Sequence, residues 1–248
     1  MIQQKKIYPG KLLLMVFLLP GLFSFAQQGN KMVQKGKLLY SNDFSRKKDL
    51  KNWVMEGPGE TRFENGWMHL FSPDEQYHHV YWCPQDFPDS IIVEWEAQNM
   101  EPDAGLCILF FAARGINGED IFNPALPVRD GNFRWYIKDK LRSYHISYYA
   151  NTPKKPDRGS AHLRKNNNFM LVQSGPEGIP THSTDIHHMK LIKNGPHITM
   201  YVDERKIIDW TDTLQNESRP YYKSGKIGLR QMQWTHFRYR SFKVWAIK

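Results

Sequence analysis

Short apolar or alternating runs, separated by Gly, Pro and Asn, follow one another along most of the chain. Leu38-Leu39-Tyr40, Trp53-Val54-Met55, Trp67 to Phe71, His79 to Trp82 and Ile91 to Trp95 open the series, each bounded by turn-forming residues. Leu106 to Ala113 is continuously apolar and predicts a central strand buried on both faces. Further strand signals lie at Arg134-Trp135-Tyr136, Tyr144 to Tyr149 and Met189 to Ile192. Ile198 to Val202 and Lys206 to Trp210 face each other across Asp203-Glu204-Arg205, a hairpin pattern. Ile227-Gly228-Leu229 follows, and the chain closes on Phe237 to Ile247, where Phe237, Tyr239, Ser241 and Lys243 alternate with Arg238, Arg240, Phe242 and Val244. No segment combines helical periodicity with caps. The predicted fold class is therefore all-β: a two-sheet antiparallel jelly-roll sandwich.

Two gaps are too long for hairpin turns. Arg114 to Phe133 and Asn151 to Asp185 are rich in Gly and Pro, and connections of this length in a compact domain are functional or disordered. The second carries Lys154, Lys155, Arg158, Arg164 and Lys165, which concentrates basic charge over one connection.

The amino terminus stands outside the strand pattern. Lys5, Lys6 and Lys11 precede the apolar run Leu12 to Phe25, and Ser24 and Ala26 supply the small residues of a cleavage site before Gln27. Pro20 and Gly21 interrupt this run, which is shorter than the roughly 20 residues of a bilayer-spanning helix. An uncleaved anchor is the alternative. The expected organisation is a signal peptide at 1–26, a loose polar segment at 27–36 and one sandwich domain at 37–248. The expected location is secreted or periplasmic, as a monomer free of the membrane once cleaved.

Cleavage would leave 222 of the 248 residues and lower the formal charge from +9 to +6. A basic exported chain has less reason to meet nucleic acid than an acidic polymer, although plain solubility also accounts for such a charge. Export permits a disulfide between Cys83 and Cys107, the only two cysteines, yet both sit in apolar runs where buried free thiols are ordinary.

The run Tyr144-His145-Ile146-Ser147-Tyr148-Tyr149, the stretch Leu163-Arg164-Lys165-Asn166 and the tail Gly225 to Met232 resemble the YesU-like family of the concanavalin A-like lectin/glucanase superfamily. The hairpin around Val202-Asp203 is similar to the "VDG" hairpin of laminin-G-like and keto-disaccharide hydrolase relatives, with Glu204 in place of the glycine. The resemblance covers Lys37 to Lys248. It implies a jelly roll with a concave face suited to sugars and an association with breakdown of pectin or a related polysaccharide. It implies no particular reaction.

Candidate chemistry begins with the strand Tyr144 to Tyr149. Alternation places His145, Ser147 and Tyr149 on one face, with His145 and Tyr149 as a catalytic base and acid for β-elimination and Ser147 as a sugar contact. The alternative is an ordinary polar outer face. Arg164, Asn166 and Asn168 would bind a uronate carboxylate and stabilise the charge formed beside it, unless they belong to a solvated basic loop. Glu94 and Glu96 share a strand face about 6.6 Å apart, at the low edge of the roughly 6.5–9.5 Å separation of inverting glycosidases. The superfamily's E-x-D-x-x-E pattern is absent around them, so simple pairing with basic neighbours competes. Trp135 and Trp234 are candidate stacking platforms, and Arg230, Gln231 and His236 candidate sugar contacts.

His78-His79 and His187-His188 diverge to opposite faces of their strands and make poor chelating pairs. No cofactor is expected. A structural calcium near Asn42-Asp43 has one carboxylate towards the 6–8 oxygens required.

Two function classes remain. One is an enzyme cleaving glycosidic bonds of a polysaccharide, acidic in the first instance, as a lyase or a hydrolase. The other is a non-catalytic glycan-binding module.

Overall fold

The computed structural model describes residues 33–73, 78–138, 140–152, 154–213 and 220–248. The expected signal segment, 1–26, lies outside the described residues. The described chain forms two antiparallel sheets, as the strand pattern predicts. The eight-stranded sheet contains β1 (Lys35–Asn42), β3 (Glu60–Glu64), β4 (Trp67–Phe71), β6 (Ile91–Asn99), β11 (Ile186–Asn194), β12 (His197–Val202), β13 (Arg205–Thr211) and β15 (His236–Ile247). The seven-stranded sheet contains β2 (Val54–Glu56), β5 (His79–Trp82), β7 (Gly105–Gly115), β8 (Leu141–Asn151), β9 (Ser160–Asn166), β10 (Met170–Pro176) and β14 (Lys226–Gln231). Its order, β10-β9-β8-β7-β14-β5-β2, fixes which side chains can share a row across its outer face.

Strand β7 is buried on both sides. Cys107, Leu109 and Phe111 enter the core between the sheets, while Ile108 and Phe110 join a smaller outer core with Trp82, Ile121 and Tyr136. Full burial of each large side chain contributes about 1.5–3 kcal/mol. The connection 116–133 crosses this outer face and supplies part of that second core, so the first long gap is indeed a loop.

The second gap is not. Between Asn151 and Asp185 the chain makes the hairpin β9–β10, which extends the seven-stranded sheet. Ala161 and Leu163 pack into the core, while Ser160, His162 and Arg164 alternate outward. The basic outward set masked the strand signal. Arg134-Trp135-Tyr136 also departs from expectation, forming the one-turn helix α1 (Arg134–Ile137).

Strand β15 breaks its own alternation. A bulge between Arg240 and Lys243, with Ser241 at φ +58°, lets Phe237, Tyr239, Phe242 and Val244 all reach the core. The β12–β13 turn has positive φ at both Asp203 and Glu204, the type I′ geometry of a two-residue hairpin. Asp203 Oδ1 accepts the His188 amide at 2.7 Å and Oδ2 meets the His187 ring, which gives that histidine a structural position.

Cys83 and Cys107 are free thiols. They flank β14, Cys83 beside Ile227 and Cys107 beside Gln231. Two strand spacings and four residues separate them by about 16 Å, beyond the roughly 7 Å limit for a disulfide. Burial pushes the Cys83 thiol up to about 12 and the Cys107 thiol higher still.

Candidate functional site

A cavity of about 420 Å³ opens on the outer face of the seven-stranded sheet, within the 300–1,000 Å³ usual for small-ligand sites. Register builds its floor. Ile108 on β7 stands opposite Ser147 on β8 and Arg230 on β14, and Ser147 stands opposite His162 on β9. The next row places His145 between Phe110 and Arg164. Phe133 enters from the long connection, Phe169 from the β9–β10 turn, and Trp234 from the turn after β14. The amide of Met232 donates to Leu106 O at 3.0 Å and that of Gln233 to His78 Nδ1 at 3.2 Å, which holds this last turn against the sheet.

The charge of the cavity is one-sided. Lys154, Arg158, Arg164 and Arg230 line it, and no Asp or Glu does among the described residues. Arg230 is 2 % exposed, its Nε has no hydrogen-bond partner, and no described carboxylate pairs with its guanidinium. The guanidinium lies 4.3 Å from the centre of the Phe133 ring. Burial lowers its pKa to about 10, which leaves it a cation at neutral pH. Arg158 donates to Ser147 Oγ at 2.9 Å, and Arg164 donates to Phe169 O at 3.0 Å while covering the Phe169 ring at 3.9 Å.

The histidines here are neutral. Burial first, then the charges of Arg164 and Arg230, lower the His145 pKa to about 3. Burial with Arg158 and Arg164 brings His162 to about 4, and burial with Arg230 does the same for His78. Asn166 is fully buried behind His145, 2.9 Å from its Nδ1 and 2.9 Å from Ser143 Oγ. That contact fixes the ring and leaves Nε2 as the nitrogen available to a ligand.

Among the residues singled out from sequence, His145, Ser147, Arg164, Arg230 and Trp234 line this cavity, and Asn166 orients His145 from behind. The others are corrected. Tyr149 faces the core: β8 bulges where Tyr148 is inserted between the pairs Cys107–Tyr149 and Ile108–Ser147, so Tyr149 packs on Phe237 and donates to Pro102 O. Gln231 is one residue past Arg230 and points the opposite way, into the core, where it donates to the Tyr239 hydroxyl at 3.0 Å. Glu94 and Glu96 lie on β6 of the other sheet, paired with Lys35 and Arg240. His236 lies there too, against His69 at 3.0 Å. Trp135 borders a separate depression with Lys138 and Lys140, and Asn168 another with Lys165 and Tyr222.

Sequence reasoning missed Phe133, Phe169, His162 and His78 as site residues. The outward alternation of Ser160, His162 and Arg164 was the available signal for one of them. At Asn42, the amide nitrogen donates to Asp49 O at 2.6 Å and Oδ1 accepts the Phe44 amide at 2.8 Å, so the side chain serves its own turn.

A family model described as a domain of unknown function (DUF1961) matches residues 37–244. The chain belongs to the DUF1961 family. It is 36% identical over 216 residues to the uncharacterized protein YesU of Bacillus subtilis (strain 168), across 86% of this chain and 97% of that one. A Bacillus subtilis protein of unknown function with a galectin-like fold matches at TM-score 0.83 and 36% identity, over 87% of this chain and 99% of its own. This DUF1961 sandwich also shares its fold with the potassium-bound carbohydrate recognition domain of Emp46p, at TM-score 0.57 and 13% identity, covering 83% of this chain and 96% of that domain. The carbohydrate-binding module CBM66 from Bacillus subtilis matches at TM-score 0.50 and 12% identity, over 79% of this chain and 96% of the module.

Proposed function

We propose that the protein, after export, binds acidic saccharides in the cavity of the seven-stranded sheet. The observation that carries this reading is Arg230. Among the described residues no carboxylate neutralises this buried guanidinium, an arrangement that is costly, and a ligand carboxylate or sulfate arriving beside it supplies negative charge. Arg158, Arg164 and Lys154 reinforce the same preference, and the aromatic rings of Phe133, Phe169 and Trp234 offer apolar surface to the C–H faces of a sugar. The names of two fold neighbours, a carbohydrate recognition domain and a carbohydrate-binding module, support the same class of ligand.

Binding is favoured over cleavage. The two glutamates that would serve a hydrolase stand on the opposite sheet, and the tyrosine that would serve a lyase is turned into the core. Calorimetric titration with pectic, alginate-type and glycosaminoglycan oligosaccharides, beside neutral ones of equal length, tests the reading. Saturable binding confined to the acidic set is expected. Equal binding of the neutral set contradicts it. Unsaturated products by absorbance, or new reducing ends, would restore the enzyme reading.

A further inference from the structure

The two principal cations of the cavity are arranged about a single neutral ring. Arg230 covers Phe133 at 4.3 Å, and Phe133 meets His145 at 5.6 Å between ring centres. On the other flank His145 stacks with Phe169 at 5.8 Å and 25°, and Arg164 covers Phe169 at 3.9 Å. Phe133 and Phe169 meet each other edge to face at 5.4 Å, so the row closes on itself. Each guanidinium is thus seated on its own aromatic ring, and His145 contacts both rings. The strands that carry Arg164 and Arg230, β9 and β14, are three steps apart in the sheet, about 14 Å at the backbone. Ile108 and Leu106 form an apolar strip between them.

This is not one anion site with several donors. Arg158 and Arg164 act on each other electrostatically and share the β9 side, while Arg230 stands alone on the β14 side. A ligand with one acidic group engages one pole and leaves the other, buried Arg230 or the half-buried Arg164 and Arg158, without a ligand charge. We infer that the site takes a saccharide with two acidic groups, one held by Arg230 and the other by Arg164 with Arg158, with a sugar face over the apolar strip and His145 Nε2 facing the ligand between them. The inference rests on the binding function proposed above and specifies its ligand.

The test compares monouronides and diuronides of galacturonate, glucuronate and mannuronate by calorimetry, on wild type, Arg164→Met and Arg230→Met. The best diuronide should bind at least about tenfold more tightly than its monouronide, the equivalent of about 1.4 kcal/mol. Each substitution should remove that advantage while the monouronide still binds the remaining pole, and the double variant should weaken the monouronide as well. Thermal melts certify that the variants fold. Arg164→Lys and Arg230→Lys, which keep the charge and lose the planar fork, should give intermediate affinities. A diuronide no tighter than its monouronide, or an advantage untouched by one of the two Met substitutions, overturns the two-pole site while leaving acidic-sugar binding intact. Failure of every uronide to bind overturns both.

Discussion

Arg230 and Gln231 are neighbours on β14 whose side chains turn to opposite faces of the seven-stranded sheet, one into the cavity wall over Phe133 and the other into the core against Tyr239. This reversal separates binding from stability at adjacent positions. Gln231→Ala should destabilise the fold by about 2 kcal/mol, through a small cavity and a lost buried hydrogen bond. Saccharide affinity per folded molecule should stay unchanged, as denaturant titration and calorimetry would report.

Arg230→Met has the opposite signature. It removes a buried cation that has no counter-ion among the described residues and keeps apolar contact with Phe133. The cost of the buried charge outweighs a cation–π contact of up to about 2 kcal/mol. The ligand-free variant should melt about 2–4 °C higher than wild type, while acidic saccharides should raise its melting temperature less than that of wild type.

Much of the architecture was legible in the sequence because apolar alternation and turn residues are local signals. The central strand Leu106 to Ala113, the hairpin around Asp203-Glu204 and the long loop before Phe133 all stand where the pattern puts them. The failures have a common cause, since a single inserted residue reverses every later side chain. The bulge at Tyr148 removed Tyr149 from the face of His145, and the one near Ser241 brought Phe242 and Val244 into the core. Phe133 and Phe169 were unreadable for another reason. Both reach the cavity from connections, where no periodicity announces a direction.

Acid should destabilise the protein. Burial, with Arg230 next, holds His79 at about 3, and burial with two arginines holds His145 at about 3, against an ordinary 6.5. A histidine with a lowered folded pKa binds fewer protons folded than unfolded. Its contribution is therefore complete above pH 6.5 and is lost as pH falls from there towards the folded value. At pH 5 each of these two fully buried rings costs the folded state about 2 kcal/mol. Melting temperature should fall by more than about 5 °C between pH 7 and pH 5; a flat profile would show that these rings titrate normally.

Glu94→Gln and Glu96→Gln should leave saccharide affinity unchanged. Their carboxylates serve partly exposed pairs with Lys35 and Arg240 on the far sheet, each worth no more than about 1 kcal/mol. A loss of binding in either variant would place the ligand on the wrong sheet.

The central claim is that the buried cation of Arg230 recruits an acidic sugar. Calorimetric titration of wild type and Arg230→Met with one uronate oligosaccharide and one neutral oligosaccharide of equal length tests it most directly. The account predicts saturable binding of the uronate by wild type, a loss of at least about tenfold in the variant, and no binding of the neutral sugar by either. Uronate binding that survives the substitution unchanged, or neutral sugar bound as tightly as uronate, would contradict it.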